Sequence, residues 1–200
     1  MTSRESAHRS TAYFLVSLAA LMLLASGVVS QERQSIHYSY AERSTGVLEV
    51  HFLSSTVMET VQFAVHGDGR VLGKVVGTGP DQPVLDEFGA RLDAAQVSEL
   101  VDEAVTSGLI DFETDRFIRE LRKRGETFPN VIDGGAVLFK IDLDYVARGD
   151  ESLEAPFSHS FLIDFPDEFA RRFPEERALR ALQRVTHMLE GIYWSHRRRQ

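Results

Sequence analysis

The chain has 200 residues, with 22 Lys+Arg against 30 Asp+Glu, a formal net charge of −8, 43% hydrophobic residues and no cysteine. Without thiols there are no disulfides, thiolate metal centres or cysteine nucleophiles. The acidic balance repels phosphate backbones and anionic lipid, so nucleic acid is not an expected partner.

The first residues read as an export signal. Arg4 and Arg9 give a mildly basic start, and Phe14–Val29 is an uncharged, mostly apolar run. Small residues follow, and Val28 and Ser30 suit the −3 and −1 positions of a cleavage site, with the cut between Ser30 and Gln31. A cut after Gly27 is the alternative. The run is shorter than the ~20 residues that span a bilayer core, which favours cleavage over a retained anchor. Losing the leader removes two arginines and one glutamate and leaves the remainder slightly more acidic. The expected organisation is a signal peptide over residues 1–30, a flexible lead-in over 31–46, a single domain over 47–195 and a basic tail over 196–200. The protein is expected to be exported, periplasmic or secreted; the alternative is an N-terminal membrane anchor. After cleavage no stable membrane association is expected. The one asparagine, Asn130, is followed by Val131 and Ile132, so there is no glycosylation sequon.

Strands come first in the body. Val47–Leu53 alternates Leu48, Val50 and Phe52 with Val47, Glu49 and His51, the period of a half-buried strand. Val61–His66 and Val71–Val76 flank Gly67-Asp68-Gly69, a hairpin signal, because glycine accepts the positive φ of a tight turn. Residues 77–83 read as a Gly/Pro loop. Asp93 with Gln96 three residues on forms a capping-box pattern. Val97, Leu100, Val101, Ala104 and Val105 then share one helical face, and Gly108 ends it.

Thr114–Arg124 predicts a second, densely charged helix with Phe117, Ile118 and Leu121 as a narrow apolar stripe. Its spacing offers Asp115–Arg119 and Glu120–Arg124 as i,i+4 pairs. Val137–Val146 predicts a strand with Val137, Phe139, Ile141, Leu143 and Tyr145 on one face and Lys140, Asp142 and Asp144 on the other. Phe157–Phe165 alternates Phe157, His159, Phe161, Ile163 and Phe165 inward and is expected to pair with it antiparallel. Pro174 suits the first turn of a last helix lined by Leu179, Leu182, Val185, Leu189 and Ile192. The expected fold is α+β: an antiparallel sheet of about five strands with two amphipathic helices on one face, in the order β-β-β-α-(α)-β-β-α.

That order and spacing resemble a family of small bacterial domains that includes the emfourin-type inhibitors of thermolysin-like metalloproteases. The residues that carry the likeness are Val61–Val76 with Gly67-Asp68-Gly69, Leu92-Asp93, Gln96, Leu100 and Gly108-Leu109-Ile110-Asp111-Phe112. The charged stretch 114–124 is an insertion relative to that pattern, and no functional residue is carried over.

Candidate chemistry is sparse. Gly67–Lys74 departs from a phosphate-binding loop at Asp68 and Val75 and sits in a hairpin. His51, His66 and His159 with Asp142, Asp144 or Asp164 have the residue types of a zinc-like site, without any local ligand spacing. Asp142 and Asp144 could divide acid and base work or hold calcium, against a solvated sheet face. Ser158, His159, Ser160 and Asp164 include triad types, but alternation separates the histidine from the serines. His66 is read as a cap on the hairpin. The basic run 116–124 could meet an acidic partner. No catalytic residue and no cofactor are expected. The leading reading is a non-enzymatic extracytoplasmic domain that binds another extracytoplasmic protein, as a protease inhibitor-like module, through its exposed sheet face or an edge strand. The alternatives are a His/Asp metal-binding protein or hydrolase, and a membrane-tethered structural module.

Overall fold

In a computed structural model of the chain, the described residues are 36–40, 46–53, 59–77, 81–126, 135–148 and 156–200. The apolar run 14–29 and the Ser30–Gln31 bond lie outside them. The strands are β1 (Ile36–Ser39), β2 (Gly46–Leu53), β3 (Glu59–His66), β4 (Arg70–Gly77), β5 (Val84–Arg91), β6 (Ala136–Leu143), β7 (Tyr145–Arg148) and β8 (Phe157–Asp164). The helices are α1 (Ala94–Thr106), α2 (Thr114–Lys123), α3 (Pro166–Arg172) and α4 (Arg177–Arg197), with a 3₁₀ turn at Leu109–Asp111.

The fold is α+β. Six strands form one antiparallel sheet in the order β5-β4-β3-β2-β6-β8, and β1 pairs with β7 in a separate ribbon. Strand alternation sends one side chain in two to an inner face. One row across it reads Phe88, Gly73, Phe63, Val50, Phe139 and Phe161. Each phenylalanine in that row is buried, and burying such a ring contributes about 1.5–3 kcal/mol. Glycine at position 73 leaves room for the Phe88 ring, which would overlap any Cβ placed there.

Helices α1 and α4 complete this core. Val97, Leu100, Val101, Ala104 and Val105 of α1 are buried, as are Leu179, Leu182, Val185 and Leu189 of α4. Asp93 caps α1 as its spacing predicts: Gln96 N–H donates to Asp93 Oδ1 at 2.8 Å and Asp93 N–H to Gln96 Oε1 at 2.9 Å. The hairpin turn between β3 and β4 abuts this cap. Gly69 has φ +85°, and its carbonyl accepts from Leu92 N–H at 2.8 Å.

The structure adds elements that local patterning missed. Strand β5 was hidden because its inward positions are Asp86, Phe88 and Ala90, where an aspartate interrupts the apolar period, and a register shift before Asp86 breaks the alternation. The predicted strand 137–146 breaks at Asp144, whose N–H donates to Ser39 O at 2.8 Å; the chain then turns away to pair with β1. The segment 36–39, expected within a loose lead-in, is therefore a strand. The Tyr38 hydroxyl donates to Asp102 of α1, and burial together with that hydrogen bond pushes the phenol pKa up. Pro166, rather than Pro174, opens a helix, the short α3, after Phe165 at φ 52°. The last helix runs to Arg197, two residues into the expected tail. Among the described residues, no helix is long and apolar enough to cross a membrane. Ile36–Gln200 forms one compact unit.

Candidate functional site

The sheet separates His51 from His159, two of the three histidines considered as metal ligands. His51 stands on the open face, in a row that reads Glu87, Lys74, Gln62, His51, Leu138 and Leu162. His159 stands on the inner face, where its Nε2 lies 2.9 Å from the Phe112 carbonyl and its ring lies among Phe157 and Phe161. Asp142 is on the open face, but Lys140 Nζ sits 2.7 Å from its Oδ2 and 3.4 Å from Glu49 Oε1. A resident ammonium therefore occupies the place a cation would take between these carboxylates. The two carboxylates hold the Lys140 pKa above its ordinary value. Asp144 lies in the bend beyond β6, so it does not share a strand face with Asp142. Asp164, opposite Ala136, is exposed at the end of β8. Among the described residues, no group of three or more His, Asp or Glu side chains could hold a metal ion.

Desolvation lowers the His51 pKa. Lys140 lowers it further, and Glu49 opposes that shift. His66 does not cap the hairpin with its ring. The turn closes by Gly69 N–H donating to the His66 carbonyl at 2.9 Å, while the ring is buried with neither nitrogen hydrogen-bonded. On α2, Glu120 pairs with Lys123 at 2.6 Å rather than with Arg124, and its pKa falls below the ordinary carboxylate value through that hydrogen bond. A cleft of about 330 Å³ beside α2 has Asp111, Glu113, Glu120, Glu176, Arg116 and Arg124 in its walls. Four carboxylates and two guanidiniums line it, so its walls carry an excess of negative charge.

The two edges of the main sheet differ. Along β8, Thr114 Oγ1 donates to the Leu162 carbonyl at 2.7 Å and His159 meets Phe112, so the segment leading into α2 covers that edge. Along β5, no other described strand pairs with the outer side. Unpaired N–H and C=O groups on an edge are a template for another extended chain. Val84 and Leu85 are about half exposed there, at 52% and 53%.

The last turns of α4 frame this edge. Asp86 Oδ2 lies 3.1 Å from His196 Nε2 and accepts from Gln200 Nε2 at 3.3 Å. The His196 ring stacks on Phe88 at 5.0 Å, and Tyr193 contacts Phe88 at 5.6 Å. Desolvation raises the Asp86 pKa, but the hydrogen bonds from His196 and Gln200 outweigh it and leave the carboxyl below its ordinary value. Trp194, next to Tyr193, is 57% exposed. The sequence reading placed the arginines in a basic tail over 196–200 and gave Trp194 no partner. What it lacked was β5 and the Asp86–His196 contact, which joins residues 110 positions apart.

No protein-family model, curated protein or solved structure matches the chain.

Proposed function

We propose that the chain is a non-enzymatic domain that works outside the cytosol and binds another protein. One observation carries the binding part: among the described residues nothing pairs with the outer edge of β5, where Val84 and Leu85 are exposed, while the opposite edge is met at Leu162 by the approach to α2. Globular domains blunt or cover free strand edges, so an edge left open next to apolar side chains is suited to receiving a partner's strand. The apolar run at Phe14–Val29, followed by small residues up to Ser30, supports export.

The resemblance to emfourin-type domains makes a secreted or envelope protease a reasonable first partner to try, with this chain as a protease inhibitor-like module. The test has two arms. N-terminal sequencing of the exported protein should begin at Gln31 or Val28; an intact Met1 would favour the tethered alternative. The purified protein should slow a thermolysin-like protease at micromolar concentration. Full protease activity there removes the inhibitor version. Failure to capture any protein from the extracytoplasmic fraction removes the binding reading as a whole.

A further inference from the structure

The geometry points to β5 as the docking strand for an extended segment of another protein, one with an apolar centre and acidic residues at its ends. This rests on the protein-binding reading above and names the surface and the chemistry of the segment.

The apolar centre follows from strand register. On the open face, Leu72 of β4 stands between Gly89 of β5 and Ala64 of β3, and this pairing of small neighbours leaves Leu72 44% exposed. A strand added beside β5 places one side chain opposite Gly89. Neighbouring strands lie about 4.8 Å apart, so a leucine-sized side chain there can reach across the glycine to Leu72. Leu85, on the same edge, offers a second apolar contact.

The acidic ends follow from charge. Although the chain is acidic as a whole, this edge is flanked by cations. Arg91 ends β5 opposite Arg70, and among the described residues only Arg70 of that pair is bridged, by Asp68 at 2.7 Å. At the other end, the Asp86–His196 contact brings the end of α4 and Arg197, Arg198 and Arg199 close to the start of β5. The acids on this edge already have partners: Glu87 lies 3.5 Å from Lys74, and Asp86 is held by His196 and Gln200. An incoming segment with acidic ends therefore meets basic groups at both ends of the strand, and charge complementarity of this kind selects partners.

The test uses the purified chain and a blocked synthetic peptide, EDVTLTVED, with KKVTLTVKK as its control. The acidic peptide should slow hydrogen exchange of β5 amides and bind about tenfold more tightly than the lysine-ended control at low salt. Gly89→Glu should abolish this protection. A Cβ at Gly89 meets only the Val71 carbonyl oxygen, at 3.7 Å, so the variant should keep the fold. Leu72→Ser, at an exposed position, supplies a second variant that should weaken binding. Equal binding of both peptides, protection of another element, or no binding at all overturns the inference. So does a dimer of the chain that Gly89→Glu dissociates, since the edge would then serve a second copy. If Gly89→Glu still captures an extracytoplasmic protein as well as the unmodified chain does, the edge inference fails while the protein-binding reading stands.

Discussion

Gly73 of β4 faces Phe88 of β5, and the Phe88 ring lies over the glycine, so a Cβ at position 73 would overlap it. The ring has little room to retreat. It packs edge-on against Phe63 at 5.5 Å, under Tyr193 at 5.6 Å and against His196 at 5.0 Å. One missing methyl group thus lets the edge strand, the sheet centre and the last helix meet. Gly73→Ala should destabilise the fold by about 1–3 kcal/mol, as overpacking of a filled core does. Urea denaturation measures it, and an unchanged midpoint would mean the ring moves aside freely.

Asp93 makes a separate prediction at the start of α1. Its side chain satisfies an otherwise unpaired N–H of the first turn, and Gln96 returns the bond. Asp93→Ala should cost about 1 kcal/mol, typical of losing a good N-cap. Asp93→Ser should recover most of that loss. A Ser variant no better than Ala would show that the cap is not what the aspartate supplies.

His66 predicts the opposite sign. Its ring is 8% exposed and neither nitrogen has a partner. An unsatisfied buried polar group costs about 1–3 kcal/mol, whereas an apolar group of similar shape carries no such penalty. His66→Leu should therefore leave the urea midpoint unchanged or raise it. A loss comparable to that of Gly73→Ala would show that the imidazole has a favourable interaction the geometry does not reveal.

These sites also show what the sequence could and could not reveal. Asp93 with Gln96, and Gly67-Asp68-Gly69 between two alternating runs, act within a few residues, so their structure is legible locally. Strand β5 was not legible, because Asp86 faces inward only where His196 and Gln200, far along the chain, meet it. The bend at Asp144 depends likewise on Ser39, distant in sequence. The candidate edge was missed for the same reason: an edge is a property of strand order, which local periodicity does not encode. His51 and His159 were readable by alternation as polar-face and inward-face residues of their strands, and the pairing register sets them on opposite faces of one sheet.

The Asp86 contact predicts a dependence on acid. Its folded-state pKa lies below its unfolded value, through hydrogen bonds from His196 and Gln200 that outweigh desolvation. The sign follows from proton linkage: between the two pKa values the unfolded chain binds more protons, so stability falls as pH falls. Asp86 contributes fully above the ordinary carboxyl value of about 4 and loses its contribution as pH drops through the lower folded value. Arg197 and Glu59 act on the same corner, Arg197 through its charge interactions with Asp86 and Glu59. Asp86→Asn should lower the urea midpoint at neutral pH, and the gap from the unmodified chain should close as pH falls below about 4. A gap that stays constant with pH would show that the carboxylate charge contributes nothing there.

His51 titrates in a higher range and tests the open face. Desolvation puts its folded pKa below the ordinary value of about 6.5, with Lys140 adding to the shift and Glu49 opposing it. As pH falls through that range the unfolded chain takes up the proton first, so this histidine withdraws stability on acidification. The neighbours give signs that bulk stability cannot. Lys140→Met removes a repelling charge and should raise the His51 midpoint in an NMR titration. Glu49→Gln removes an attracting one and should lower it. Lys140 bridges Glu49 and Asp142, so the Met variant also frees two carboxylates beside the sheet centre. If both variants moved the midpoint in the same direction, His51 would be responding to a rearranged face rather than to the charges now beside it.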